Sequence, residues 1–171
     1  MTYDNFEATP VWQEAARLYE LTEDLLENPA FNARNGFRDQ LDRAALSVSN
    51  NIAEGFERGT TSELLYFLYV ARGSAGETRS MLRVKLRRIR DTALKSQISD
   101  LVNCAVSCSR QLRAWADSLQ NSEIQGQRHL NDRSRADYER KKRAEECRKE
   151  LLRRLSANNP MRKDAEEWGI I

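Results

Sequence analysis

The sequence has few of the residues from which most enzyme and metal sites are built. It contains one histidine, His129, and three cysteines, Cys104, Cys108 and Cys147, whose spacing does not match that of a zinc site. A single histidine excludes a His-based metal cluster, and the Glu-x-x-His repeats of metal-binding helical bundles are missing from the sequence. We therefore expect a protein that is not an enzyme and has no catalytic residues, metal or cofactor. An enzyme built on this chain would require a bound metal or cofactor.

Long apolar runs and phosphate-binding glycine loops are also lacking. No stretch approaches the length needed to cross a bilayer, and the acidic residues 1–7 lack the apolar run of a secretory signal. Gly73 and Gly76 fall inside a helical pattern rather than after a strand, which argues against a phosphate loop. The cysteines are odd in number, and Cys104 and Cys108 lie one turn apart on an apolar helix face, so we expect all three to be reduced thiols in the core. We therefore expect a cytoplasmic protein with no membrane partner.

Apolar residues at helical spacing predict four long helices. Thr9 and Pro10 predict the start of the first helix, which ends near residue 27, and the next two should run over about 35–58 and about 61–90. The fourth has a 3.5-residue repeat typical of a bundle seam, formed by Leu94, Ile98, Leu101, Ala105, Cys108, Leu112, Trp115 and Leu119. We predict an all-α fold, an antiparallel up-down four-helix bundle over residues 1–120. Residues 121–171 should form a basic, charged helical extension and tail, with a helix over about 135–157.

Small and polar residues interrupt the apolar pattern between residues 43 and 77. On the second helix Ser47, Asn51 and Glu54 lie beside the apolar face, and on the third helix Gly73 and Gly76 interrupt it. Each glycine makes helix formation less favourable than alanine does, by roughly 1 kcal/mol. The pattern therefore predicts that a neighbouring helix approaches closely and that its contacts compensate for this loss. We expect the polar group to fix helix register or a subunit contact, and direct RNA contact is the alternative.

Two linked strings within this stretch resemble a known family. Residues 47–55, ending Asn-Ile-Ala-Glu-Gly, and residues 71–77, beginning Ala-Arg-Gly-Ser, are similar to the bacterial four-helix-bundle family named for proteins encoded in 23S ribosomal RNA intervening sequences. The resemblance covers about residues 11–115. It implies a four-helix bundle that forms a homo-oligomer, a pentamer, and associates with RNA. The structural or oligomer motif comprises Asn51, Glu54, Gly55, Gly73, Ser74 and Glu77.

Charge is distributed unevenly along the chain. Residues 1–60 carry five basic and eleven acidic side chains, a net of −6, whereas residues 61–120 carry ten and five, a net of +5. Arg79, Arg83, Arg87 and Arg90 step by four, four and three, which predicts one helix face suited to phosphate groups. The predicted RNA-binding residues are Arg72, Arg79, Arg83, Lys85, Arg87, Arg88, Arg90, Arg110 and Arg113. The alternative is that these side chains form the ordinary solvent-facing side of a long helix.

Charge pattern and resemblance together favour one function. We expect a homo-oligomeric protein that contacts structured RNA, ribosomal or retroelement, mainly through phosphates. The alternative is an adaptor that docks on a reverse transcriptase, because the resemblance extends to the accessory variability determinant bundle of diversity-generating retroelements. A ribosome-linked partner is a further possibility that the resemblance leaves open.

Overall fold

The computed structural model describes residues 3–121, 132–156 and 159–170. The helices are α1 (Pro10–Glu27), α2 (Asn35–Glu57), α3 (Thr61–Leu86), α4 (Thr92–Gln120), α5 (Asp132–Arg154) and α6 (Pro160–Glu167). The chain divides into two compact units, Met1–Arg128 with α1–α4 and His129–Ile171 with α5 and α6. No helix in the described part of the chain is long and apolar enough to cross a membrane. The prediction of an all-α fold with four packed helices is confirmed.

The predicted start of α1 is confirmed by its capping residues. The Oγ1 atom of Thr9 accepts a hydrogen bond from the backbone N–H of Trp12 at 3.3 Å, and Pro10 takes the first helical position. This hydroxyl satisfies an N–H group that has no partner inside the helix, and proline needs none. The two residues therefore fix where the helix begins.

The third helix ends earlier than its charge pattern predicts. We predicted a helix to residue 90, but α3 ends at Leu86 and residues 87–91 form the connection to α4. Asp91 caps α4, because its Oδ1 atom accepts a hydrogen bond from the backbone N–H of Leu94 at 2.7 Å. A residue in the extended N-cap conformation cannot also continue α3. The prediction that Arg90 belongs to one continuous helix face is therefore wrong.

The core of the first unit follows the apolar stripes. On α1 the buried residues are Val11, Ala15, Leu18, Thr22 and Leu25, as the spacing predicts. The buried hydroxyl of Thr22 donates to the Leu18 carbonyl oxygen at 2.7 Å, which satisfies it within the helix. Each helix of the unit contacts the next along the chain, and α1 also contacts α4. The four helices thus enclose two buried apolar clusters, and Leu21 packs against both.

Hydrogen bonds between α2 and α3 define their relative direction. The Gln40 amide donates to Glu77 at 2.7 Å, and the Ser47 and Ser74 hydroxyl oxygens lie 3.1 Å apart. Because the later residue on α2 pairs with the earlier residue on α3, contacts run in opposite directions along the two helices. Asn51 donates to the backbone and side-chain oxygens of Ser47 at 2.6 and 2.8 Å. These polar side chains therefore form a bonded layer at the α2–α3 contact.

Close helix approach occurs at Gly55 rather than at the glycines of α3. A Cβ atom added to Gly55 would lie 2.6 Å from Phe67 Cβ and 3.4 Å from Leu64 Cα. A Cβ atom added to Gly73 or Gly76 would meet no heavy atom within 4 Å. Within this chain, the predicted close approach at Gly73 and Gly76 is therefore wrong, because both face the outer side of α3.

The cysteines occupy two different environments. Cys104 and Cys108 are buried in the first unit, whereas Cys147 is exposed on α5 and therefore contradicts the predicted core location. The hydrogen bond with Cys104 and burial both raise the pKa of the Cys108 thiol. That thiol stays protonated and hence weakly nucleophilic. His129 lies outside the described residues.

The second unit is a helical hairpin. Helix α5 ends three residues before the predicted boundary at residue 157, and sequence reasoning missed α6. Leu152 and Ala165 are buried between the two helices. The Arg162 guanidinium donates to the Arg153 and Leu155 carbonyl oxygens at 3.1 and 2.9 Å. These bonds satisfy carbonyl groups at the end of α5, where the helix itself supplies no N–H.

Candidate nucleic-acid interface

Opposite charges lie on different pairs of helices. Helices α1 and α2 carry nine carboxylates and three basic side chains, whereas residues 61–120, which include α3 and α4, carry ten basic and five acidic side chains. Because α1 packs on α2 and α3 packs on α4, the sequence asymmetry becomes a spatial one. The bundle therefore has an acidic side and a basic side.

A hydrogen bond shows which sides of α3 and α4 adjoin each other. The Gln120 side chain donates to the Tyr69 hydroxyl at 2.9 Å, so these residues lie on adjoining sides of the two helices. Arg83 and Arg87 follow Tyr69 by about four and five helical turns, and Arg113 precedes Gln120 by about two turns. Residues separated by whole turns share one side of a helix. The α3 and α4 arginines therefore face the same region of solvent.

Three more arginines lie on the same side of α3 and α4 as Arg83, Arg87 and Arg113. Arg72 and Arg79 are half-buried on α3, and Arg110 is exposed on α4. We call the following set the basic face: Arg72, Arg79, Arg83, Arg87, Arg110 and Arg113. An open groove along α3 is lined by Gly76, Arg79, Ser80, Arg83, Val84 and Arg87. Three guanidinium groups of the basic face thus border one depression.

Little negative charge opposes the basic face. Arg113 pairs with Asp117 at 3.4 Å, but both side chains are more than half exposed, so water weakens this ion pair. Of the remaining carboxylates in residues 61–120, Glu77 accepts from Gln40 on the α2 side and Asp91 caps α4. Within residues 3–121, no salt bridge engages the other members of the basic face. Those guanidinium groups are available to an external anion.

Three predicted RNA-binding residues lie outside the basic face. Arg88 and Arg90 are exposed in the connection between α3 and α4. The Lys85 ammonium donates to the Asn32 carbonyl oxygen and lies 5.4 Å from the centroid of the Phe31 ring. These contacts direct Lys85 toward the segment between α1 and α2. Its charge is therefore occupied within the fold.

The motif residues lie at or near the α2–α3 contact. Gly55 and Ser74 pack against the opposite helix, and Asn51 joins the polar layer through Ser47. Glu54 pairs with Arg58 on its own helix at 2.6 Å. Gly73 lies on the exposed side of α3, and Glu77 bonds to Gln40 as described above. The motif is thus divided: Asn51, Gly55, Ser74 and Glu77 lie at the α2–α3 contact, whereas Gly73 lies on the exposed side of α3 next to Arg72.

Side chains suited to metal binding are dispersed. Among residues 3–121, 132–156 and 159–170, no three His, Cys, Asp or Glu side chains are grouped so that they would hold a metal ion.

Comparison with known families adds one finding. Residues 7–114 match the family model described as 23S rRNA-intervening sequence protein. No match was found among curated proteins. The matched region spans α1 to α3 and most of α4.

Proposed function

The chain belongs to the 23S rRNA-intervening sequence protein family, and from this premise we propose that it is a non-enzymatic, homo-oligomeric protein that binds structured RNA through its basic face. The family name connects these proteins with ribosomal RNA genes, and the basic face supplies chemistry that suits an RNA ligand. Binding would rest on phosphate contacts, which carry little sequence information.

One observation carries the proposal: five arginines of α3 and α4, with Arg87 directly after α3, share a face with a single carboxylate, that of Asp117. Each guanidinium presents a planar fork of donors that matches two phosphate oxygens. Arg79, Arg83 and Arg87 are each four residues apart, which separates them by about 6 Å along the helix axis. Such spacing allows neighbouring arginines to bind successive phosphates of one strand.

A homo-oligomer would strengthen binding without new contacts within each subunit. Every copy repeats the basic face, so one RNA molecule can engage two or more copies. After the first contact forms, the second is intramolecular, and its effective concentration raises the overall affinity. The resemblance to the family implies five subunits, and we propose that number for this chain.

Salt dependence tests whether phosphate contacts dominate. We expect the affinity for a labelled stem-loop RNA to fall roughly 60- to 1,000-fold between about 50 and 200 mM salt, which corresponds to about four to six phosphate contacts. Fluorescence anisotropy titrations across this range measure the slope of log affinity against log salt concentration. Affinity that does not change with salt, or the absence of binding at the lowest salt, would contradict the proposal.

Subunit number and natural ligand are measurable together. Native mass spectrometry of protein purified without nuclease treatment is expected to show a homo-oligomer, with five subunits, carrying RNA. Treatment with ribonuclease should then remove the additional mass and leave the oligomer. A monomer in this measurement would contradict the oligomeric part of the proposal, whatever the RNA result.

Lys85 provides a separate prediction, because its contacts lie within the fold. Lys85→Ala removes the bond to Asn32 and the cation–π contacts with Phe31 and Phe37. We expect the free energy of unfolding to fall by about 1–2 kcal/mol. RNA affinity should change less than in Arg83→Ala. Urea unfolding and anisotropy measure the two effects, and a variant with unchanged stability but strongly reduced affinity would place Lys85 in the interface.

A further inference from the structure

Two tyrosine rings are exposed on α3 close to the basic face. The exposed fraction is 64% for Tyr66 and 43% for Tyr69, although large aromatic side chains usually bury most of their surface. The Tyr66 ring packs edge-on against Phe67, with centroids 5.2 Å apart. The hydroxyl of Tyr69 is bonded to Gln120. Both rings are thus held at the surface by neighbours rather than covered by them.

The tyrosines and the arginines follow one another along the same helix. Tyr66 and Tyr69 are separated by about 4.5 Å along the axis, and Arg72 follows Tyr69 by the same rise. Arg87, at the other end of the row, lies about 27 Å from Tyr69 along the axis. Between them, a side chain at Gly76 would meet no heavy atom within 4 Å, so the surface there is open. A single extended ligand can therefore touch the rings and the arginines together.

We infer that the RNA bound by the basic face contains unpaired bases, and that Tyr66 and Tyr69 stack on those bases while the arginines hold the adjoining phosphates. This inference rests on the proposed function and specifies its ligand. The ligand class is a single-stranded or loop segment of a few nucleotides, continuous with the strand that lies along α3. In a duplex the bases already stack on one another and their faces are closed to tyrosine.

The charge around the rings favours RNA over a protein partner. Arg72 lies about one turn beyond Tyr69, and the rest of the basic face continues from there along the two helices, with Asp117 as its one ion-paired carboxylate. This positive surface forms a border on one side of the rings and matches a polyanion. Base stacking on aromatic side chains, next to a positive groove that follows the backbone, is the usual arrangement in proteins that bind single strands. An apolar protein partner would leave the positive charge of the border unmatched.

The test compares three labelled RNAs of equal length: an unpaired strand, a fully paired duplex and a stem-loop. For the full-length chain, Tyr66→Ala with Tyr69→Ala is expected to lower affinity for the unpaired strand and the stem-loop by about tenfold or more. Affinity for the duplex should change by less than about twofold. The paired Phe substitutions keep the rings and should preserve all three affinities. Val70→Ala removes exposed apolar surface from the same helix without removing a ring, and should also preserve them.

Each alternative outcome has a defined meaning. Unchanged affinities in the double alanine variant, or equal losses for all three RNAs, overturn the inference. A change in subunit number, measured by native mass spectrometry, would show that the tyrosines contact a second copy and would overturn it as well. If the unsubstituted protein binds all three RNAs in a salt-dependent way, the proposed function survives these failures. If it binds none of them, the proposed function itself is wrong.

Discussion

Replacing Arg83, Arg87 and Arg90 together by glutamate is expected to abolish RNA binding, with a loss of affinity of at least about 100-fold near physiological salt. Each substitution removes a cation and adds an anion, on the basic face at Arg83 and Arg87 and in the adjoining connection to α4 at Arg90. All three side chains are exposed, and no core contact depends on them. The fold and the subunit number should therefore remain unchanged. Anisotropy titrations measure the affinity, and native mass spectrometry measures the oligomer.

A matched control variant shows whether RNA affinity depends on where the charges are reversed or only on the change in net charge. Arg17, Arg34 and Arg43 are exposed arginines on or beside α1 and α2, on the acidic side of the bundle. Reversing these three changes the net charge of the chain by the same amount as reversing Arg83, Arg87 and Arg90. We expect the control to retain affinity within about threefold. Equal losses in the two variants would show that net charge alone drives association, and unchanged affinity in the first variant would remove the proposed surface.

The apolar pattern was sufficient to predict the helices and their inner faces. The stripe on α1 and its Thr9 cap agree with the structure, because helical periodicity and capping depend on residues within a few positions of one another. The buried positions of α4 follow its 3.5-residue repeat for the same reason: Leu94, Ile98, Leu101, Ala105, Cys108 and Leu112. Signals of this kind depend on nearby residues, so a single sequence is enough to detect them.

The short elements were harder to predict. The sequence predicts only the end of a helix at about residue 157, yet two residues later Asn159 Oδ1 accepts from the Met161 N–H at 3.0 Å and begins α6. An asparagine followed by proline is also a signal for a helix start. Because α6 has only eight residues, its apolar periodicity is too short to distinguish a helix start from a helix end.

The surface of the bundle depends on contacts that the sequence does not display. Gln120 and Tyr69 lie 51 positions apart, and their hydrogen bond shows which side of α4 adjoins the arginines of α3. Lys85 and Asn32 lie 53 positions apart, so the sequence does not show that the Lys85 ammonium is hydrogen-bonded within the fold. The sequence indicates the exposure of Tyr66 and Tyr69 only weakly: neither residue falls on the buried stripe of α3 that contains Leu64 and Leu68. The pattern therefore predicted a common face for Arg79, Arg83 and Arg87, but it did not show that Arg110 and Arg113 of α4 adjoin that face.

Gly55→Ala is expected to lower the free energy of unfolding by about 2 kcal/mol or more. The new Cβ atom would lie 2.6 Å from Phe67 Cβ and 3.4 Å from the Leu64 backbone. Neither of those atoms is the free end of a flexible side chain, so α2 and α3 must separate to admit the methyl group. Separation weakens the packing of Leu64 and Ile52 within the same buried cluster. Urea unfolding followed by circular dichroism, at constant protein concentration, measures the change.

Gly73→Ala is the matched substitution, because it makes the same chemical change on an exposed part of α3. A Cβ atom there meets no heavy atom within 4 Å, so only helix propensity and the entropy of the unfolded chain change. We expect the free energy of unfolding to rise by up to about 1 kcal/mol. Since both substitutions gain the same helix propensity, the difference in sign measures the space between α2 and α3. Destabilisation by Gly73→Ala would mean that another surface, such as a second copy, covers this side of α3 in solution.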